Sequence, residues 1–180
     1  MRTVILDSAS SGLDELLERR RRAGLDRLDE VWQGELHMIP APSFEHAEIA
    51  TQLARLLGPA ADQAGLTIAM HEFNIGESEH DFRVPDGGLF RGRPRGVWLR
   101  TAALVAEILS PGDETWAKLD FYAAHDVDEV LIVDLATRAV HWLSRTADGY
   151  RPVARSGLID MGADDLRGRL RWPSADADAD

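Results

Sequence analysis

Lys118 is the one lysine in a chain of 180 residues whose other strongly basic residues, 19 of them, are all arginine. That bias lets arginine serve wherever a generic positive charge will do. The lone lysine is therefore either a chance survivor or the mark of a site that needs a compact ammonium rather than a planar guanidinium. Eleven residues earlier stands Glu107, the single carboxylate in the apolar run from Leu104 to Ser110. If that run is a central strand, the charge must be paired, hold a metal or sit at the strand end, because an unpaired buried charge is costly. The bland alternative is a place at the sheet's rim, paired with an arginine such as Arg83 or Arg100. Upstream, Asp86 closes the stretch from Asp81, within the turn signal from Val84 to Gly88. That signal taken alone reads as a plain turn.

Together the three residues suit phosphodiester hydrolysis. Two carboxylates on neighbouring strands hold a hard divalent cation through oxygen, Mg2+ or in its place Mn2+. The cation polarises the phosphate and lowers the pKa of its bound water. An ammonium from the following helix then orients the attacking hydroxide or offsets charge on phosphorus. Asp86 and Glu107 are thus expected to share one cation, with Lys118 facing the same cavity. A cavity lysine packs little, so its removal is expected to leave stability nearly unchanged.

The elements that must position these groups are legible as periodicities. Gly12 to Gly24 reads as a helix ending in Arg19 to Arg22, more simply a solvated helix end than a phosphate site. Arg27 to Pro40 reads as a hairpin turning at Gln33-Gly34. Ser43 is a good N-cap for a helix over Phe44 to Ala64, whose stripe Ile49, Leu53, Leu56, Leu57 carries His46 toward the sheet. Strands are expected over Leu66 to Ile75, Asp81 to Phe90 and Ala103 to Leu109, then a helix over Glu114 to His125. The continuous apolar run Glu129 to Asp134 reads as a central buried strand, and a turn at Thr137-Arg138 leads to an outer partner, Ala139 to Leu143. Tyr150 to Arg171 resolves only into short pieces of strand or coil. The order predicts an α/β fold, one mixed sheet with helices packed on it.

Val84 to Asp86, Val105 to Ser110, then Asp113 with Lys118 and Tyr122, then Asp126 to Asp134 resemble, in combination, the Uma-two family of restriction-endonuclease-like proteins in the PD-(D/E)XK nuclease superfamily. Gly34 to Pro40 and Ser43 to His46 agree with it. The resemblance spans Leu28 to Leu143 and implies a restriction-endonuclease-like mixed β-sheet flanked by helices. It implies an Mg2+-dependent endodeoxyribonuclease with Asp86 and Glu107 as metal ligands and Asp86, Glu107, Lys118 and His46 as catalytic residues. The superfamily's strand lysine would fall at Leu109, so the resemblance puts the lysine on the next helix, at Lys118. It also implies His46, with Glu48, at the mouth of the site. Read by itself, His46 is equally a capping or core-edge histidine. Ser110 is expected to brace its loop, and Tyr122 to pack one turn from Lys118. The loop Arg91 to Arg95 is the best candidate for phosphate contact, though a surface loop carries charge in any case.

Composition sets the bounds. With no cysteine there are no disulfides or thiolate metal sites. The net charge is −11, and Val31 to Arg155 holds 18 acids against 11 bases, a balance of −7. That argues against high-affinity, non-specific DNA binding, leaving DNA a weakly held partner. It also keeps open a second reading: a non-catalytic interaction or dimerisation protein, a homodimer among the options, on the same fold. No run is apolar and long enough for a signal peptide or a membrane span, so a cytoplasmic protein is expected. The expected division is a leader and helix over 1–25, one domain over 26–172, and an acidic disordered tail over 173–180.

Overall fold

Alternation of apolar residues along two neighbouring strands creates the two faces around which the protein is built. A computed structural model describes residues 13–173; Gly12, the leader and the tail from Ser174 onward lie outside the described residues. Helix α1 (Leu13–Arg22) precedes a hairpin of β1 (Glu30–Trp32) and β2 (Glu35–His37). Its turn puts Gln33 at φ 51° and Gly34 at φ 91°, the left-handed pair that a two-residue hairpin requires. Helix α2 (Phe44–Gln63) starts where the Ser43 hydroxyl accepts the backbone N–H of His46. Strands β3 (Leu66–Ala69), β4 (Asn74–Ser78), β5 (Asp81–Arg83), β6 (Gly87–Arg91), β7 (Trp98–Leu99) and β8 (Leu104–Leu109) follow. A 3-10 turn (Thr115–Lys118) runs directly into α3 (Leu119–Ala124). The chain then forms β9 (Glu129–Asp134), β10 (Ala139–Thr146), β11 (Gly149–Pro152) and α4 (Ala163–Arg169).

The class is the expected one, mixed α/β, but the strands divide into two sheets rather than one. The larger has the order β11-β10-β9-β8-β6-β3 and the smaller β2-β1-β5-β4-β7. β8 and β9 run parallel at the centre of the larger sheet, with Glu107 opposite Ile132. The expected strands Leu66 to Ile75 and Asp81 to Phe90 each break in the middle, and the halves join different sheets. The second break is Val84-Pro85-Asp86: proline has no N–H for the ladder and forces a residue before it out of step. Leu104, Ala106 and Ile108 face the α2 stripe Ile49, Leu53, Leu57 and the α4 residue Leu166. Val105 faces the other way, into a second cluster with Ile75 of the small sheet and Phe121 and Tyr122 of α3. Glu107 shares the side of Val105 because successive strand residues alternate. Helix α4 went unforeseen in the sequence, since Ala163–Arg169 is short and holds Gly168 and four charged residues. Among the described residues, no helix is long and apolar enough to cross a membrane.

Candidate active site

Where β8 ends and β6 begins, the sheet opens into a cavity of about 70 Å³, lined among others by Glu30, His46, Asp86, Glu107, Asp113 and Lys118. That exceeds the ~10–15 Å³ one water needs. Asp86 sits on the turn just before β6, and its Oδ2 accepts the N–H of Ile108 on β8 at 2.7 Å. Its Oδ1 lies 3.0 Å from His46 Nε2, on the first turn of α2. His46 is buried, and among the described residues its Nδ1 has no hydrogen-bond partner. Burial disfavours the imidazolium, but the Asp86 carboxylate, with Asp113 and Glu72 nearby, outweighs it and raises the histidine above its ordinary value.

Glu107 is 3% exposed, so every charge about it acts across little water. Its Oε1 accepts the Tyr122 hydroxyl at 2.5 Å and the Lys118 ammonium at 3.3 Å, and among the described residues no hydrogen bond to Oε2 is seen. Burial pushes this carboxyl up to about 8; Lys118 opposes the shift, Asp86 and Glu30 add to it, and the Tyr122 hydroxyl lowers it again. Lys118, itself buried, is kept protonated: burial alone would lower it, but Glu107 and Glu30 raise it well above a free lysine. Tyr122 is likewise raised, by burial and by the carboxylates of Glu107 and Glu30. Six acids line the cavity, Glu30, Glu72, Asp86, Glu107, Asp113 and Glu114, against one lysine.

That surplus and the donor set bear on a cation. The free Oε2 of Glu107 and the remaining lone pairs of Asp86 are hard oxygen donors of the kind Mg2+ and Mn2+ take. Among the described residues, no three His, Asp or Glu side chains already converge as a ready-made cage. Two carboxylates with water and substrate oxygens completing the shell is how Mg2+ is commonly held, so the residues fit such an ion.

The four residues singled out in the sequence, Asp86, Glu107, Lys118 and His46, therefore line one cavity. Several neighbours differ from expectation. Glu107 does not pair with Arg83 or Arg100: Arg83 binds Asp81 at 2.9 Å and Arg100 binds Glu77 at 2.8 Å. Glu48 is exposed and does not line the cavity; Glu72 does. Two residues on from His46, Glu48 points well round the helix from it. Loop Arg91 to Arg95 follows the far end of β6 from Asp86, where Arg91 pairs with Asp128 ahead of β9. Ser110 braces its loop through the backbone, exchanging hydrogen bonds with Asp113, which also accepts from Thr115 N–H and Oγ1.

Glu30 is the residue the sequence concealed. Fully buried in β1, it meets Lys118 Nζ with Oε1 at 2.8 Å, closer than Glu107 does. In Asp29-Glu30 of a short hairpin it reads as one more surface acid. The signal available was Val31 and Trp32 beside it, an apolar setting for a charge. Because two buried carboxylates meet Lys118, its removal is now expected to destabilise the fold rather than leave it nearly unchanged.

A mixed sheet flanked by helices, with acidic groups and an ammonium at one strand end, has the form of a nuclease-type domain. The family model described as "Uma2: Putative restriction endonuclease" matches residues 14–163, and the chain belongs to that family. Among solved structures it is similar to a chain described as a putative nuclease belonging to DUF820 from Anabaena variabilis ATCC 29413, with a TM-score of 0.63 and 17% sequence identity, over 78% of this chain and 90% of that one. At that identity the likeness concerns the fold. A comparison with curated proteins gives no match.

Proposed function

We propose that the protein is a divalent-metal-dependent endonuclease that hydrolyses DNA phosphodiester bonds, with Asp86 and Glu107 as ligands to Mg2+ or Mn2+. The observation that carries this is the convergence of two carboxylates and the one lysine on a single cavity lined by more acids than bases. Bound there, the ion would polarise the phosphate and acidify a water. Glu107 offers Oε2 while Oε1 is held by Tyr122 and Lys118. Asp86 is fixed at both oxygens, by the Ile108 N–H and by His46. The Lys118 ammonium is charged at neutral pH and can offset negative charge building on phosphorus. His46, raised by Asp86, can pass a proton to or from solvent at the mouth.

The test is nicking of supercoiled plasmid at low salt with Mg2+ or Mn2+, where phosphate contacts are least screened. Wild type should cut, while Asp86→Asn and Lys118→Arg should not. One observation favours a second reading, an interaction or dimerisation protein on the same fold: a net charge of −11 repels DNA. Failure of wild-type protein to cut with either ion moves that reading ahead. Equal cutting by wild type and Lys118→Arg would keep the enzyme and remove its lysine.

A further inference from the structure

Glu30 makes contacts of a kind that stability alone does not explain. A buried ion pair replaced by apolar residues of like volume is often neutral or more stable, so a carboxylate at 0% exposure in a short strand points to a demand other than stability. Both of its oxygens are used. Oε1 accepts from Lys118 Nζ at 2.8 Å and from the backbone N–H of Val84 at 2.8 Å. Oε2 accepts from Trp32 Nε1 at 2.7 Å. Val84 lies two residues before Asp86 on the same turn. One carboxylate of the small sheet therefore touches both the ammonium and the segment that carries the Asp86 carboxylate.

We propose that Glu30 is a positioning residue that fixes the Lys118 ammonium and the Asp86-bearing turn relative to each other, a role that rests on the reading of Lys118 as catalytic. Glu107 takes Tyr122 and Lys118 on Oε1 and would turn Oε2 to an occupant of the cavity. Glu30 does not line up in that way: its three donors are all protein groups. The lysine thus keeps its nearer anchor when Glu107 turns to another partner.

The single lysine permits a test that does not depend on cleavage. Labelling with 15N at the lysine side chain gives one ammonium resonance, that of Lys118. Held in ion pairs and away from water, its protons exchange slowly and the signal is sharp. Glu30→Gln removes the charge and sets an amide NH2 against either Trp32 Nε1–H or the Lys118 and Val84 donors, which destabilises for its own reason. Glu30→Gln combined with Trp32→Phe removes that donor conflict while keeping a ring in place. The double variant is expected to fold, to lose the ammonium signal to exchange, and to lose about 100-fold in the rate constant of nicking, as misplacement of a catalytic group does, with little change in KM. Trp32→Phe alone should keep the signal. A double variant with wild-type ammonium exchange, or with a wild-type rate constant in an active enzyme, overturns the proposal. If wild type cuts nothing, the nuclease reading fails by itself, and the resonance still decides whether Glu30 holds Lys118.

Discussion

Replacing Lys118 with methionine removes the ammonium and keeps a straight side chain of similar bulk. Glu30 at 0% and Glu107 at 3% exposure would then face one cavity without the cation that joins them at 2.8 and 3.3 Å. Removing one partner of a buried ion pair costs about 3–5 kcal/mol, because the other charge is left uncompensated. The lower end is expected here. The Tyr122 hydroxyl still donates to Glu107, and Trp32 Nε1–H and Val84 N–H still donate to Glu30. Glu107, already pushed up to about 8, can also take up a proton. At about 3 kcal/mol and 2–4 °C per kcal/mol for a chain of this size, the melting temperature at pH 8 should fall by roughly 6–12 °C. At pH 5 Glu107 holds its proton with or without Lys118, and Glu30 loses its partner at either pH, so the loss there should be of the same order. Scanning calorimetry in EDTA at both pH values measures this. A drop below about 2 °C at either pH would refute the picture of Lys118 as the buried partner of Glu30 and Glu107.

Three further outcomes follow from the same geometry. Glu107 holds a proton in the folded state, up to about 8, that the unfolded chain releases near 4.5, so stability without metal should fall as pH rises between those values; Glu107→Gln should flatten that slope in denaturant titrations, and an unchanged slope would assign it elsewhere. Asp86→Asn keeps an oxygen for the Ile108 N–H but loses the charge facing His46, so isothermal titration with Mn2+ should show affinity lowered by more than the ~10–100-fold typical of an outer-shell partner. Gly88→Ala would place a Cβ 2.7 Å from the Leu104 carbonyl oxygen and 2.9 Å from Phe73, prising β6 from β8, and should cost about 1–3 kcal/mol in the same calorimeter.

What could be read from the sequence was whatever announces itself locally. Ser43 before an apolar stripe at helical spacing gives α2 and the place of His46, since both depend on contacts within one turn. Glu107 stands out because its neighbours on either side are apolar strand formers, and Lys118 because it has no fellow lysine. What stayed hidden depends on pairing between distant segments. Nothing near Leu66 to Ile75 shows that its two halves pair with different strands, β3 with β6 and β4 with β5 and β7. Glu30 is buried only because β1 pairs with β5 and brings it under the Val84 turn, 54 residues away in sequence. The Arg91 to Arg95 loop misled because nearness in sequence to Asp86 is not nearness in space once a strand of five residues lies between.

The proposal that Lys118 supplies the site's lysine from outside the strand has a physical counterpart in the strand itself. Leu109, where the superfamily pattern places a lysine, falls two residues after Glu107 and so on the same side of the sheet. It packs into the cluster of Val105, Ile132 and Tyr122. The 3-10 turn Thr115–Lys118 and helix α3 cover that same side, so an ammonium from the turn can reach Glu107 where one from the strand would have done so. The exchange changes what holds the charge in place. A strand lysine takes its position from the ladder of β8 and β9, the most buried part of the sheet. Lys118 takes its position from a loop closed by Asp113 on Ser110 and Thr115, and from the carboxylate of Glu30. With the ladder no longer supplying it, register between ammonium and carboxylates must come from those side chains. On the proposed reading, a buried acid of the small sheet serves a cavity built mainly by the large one.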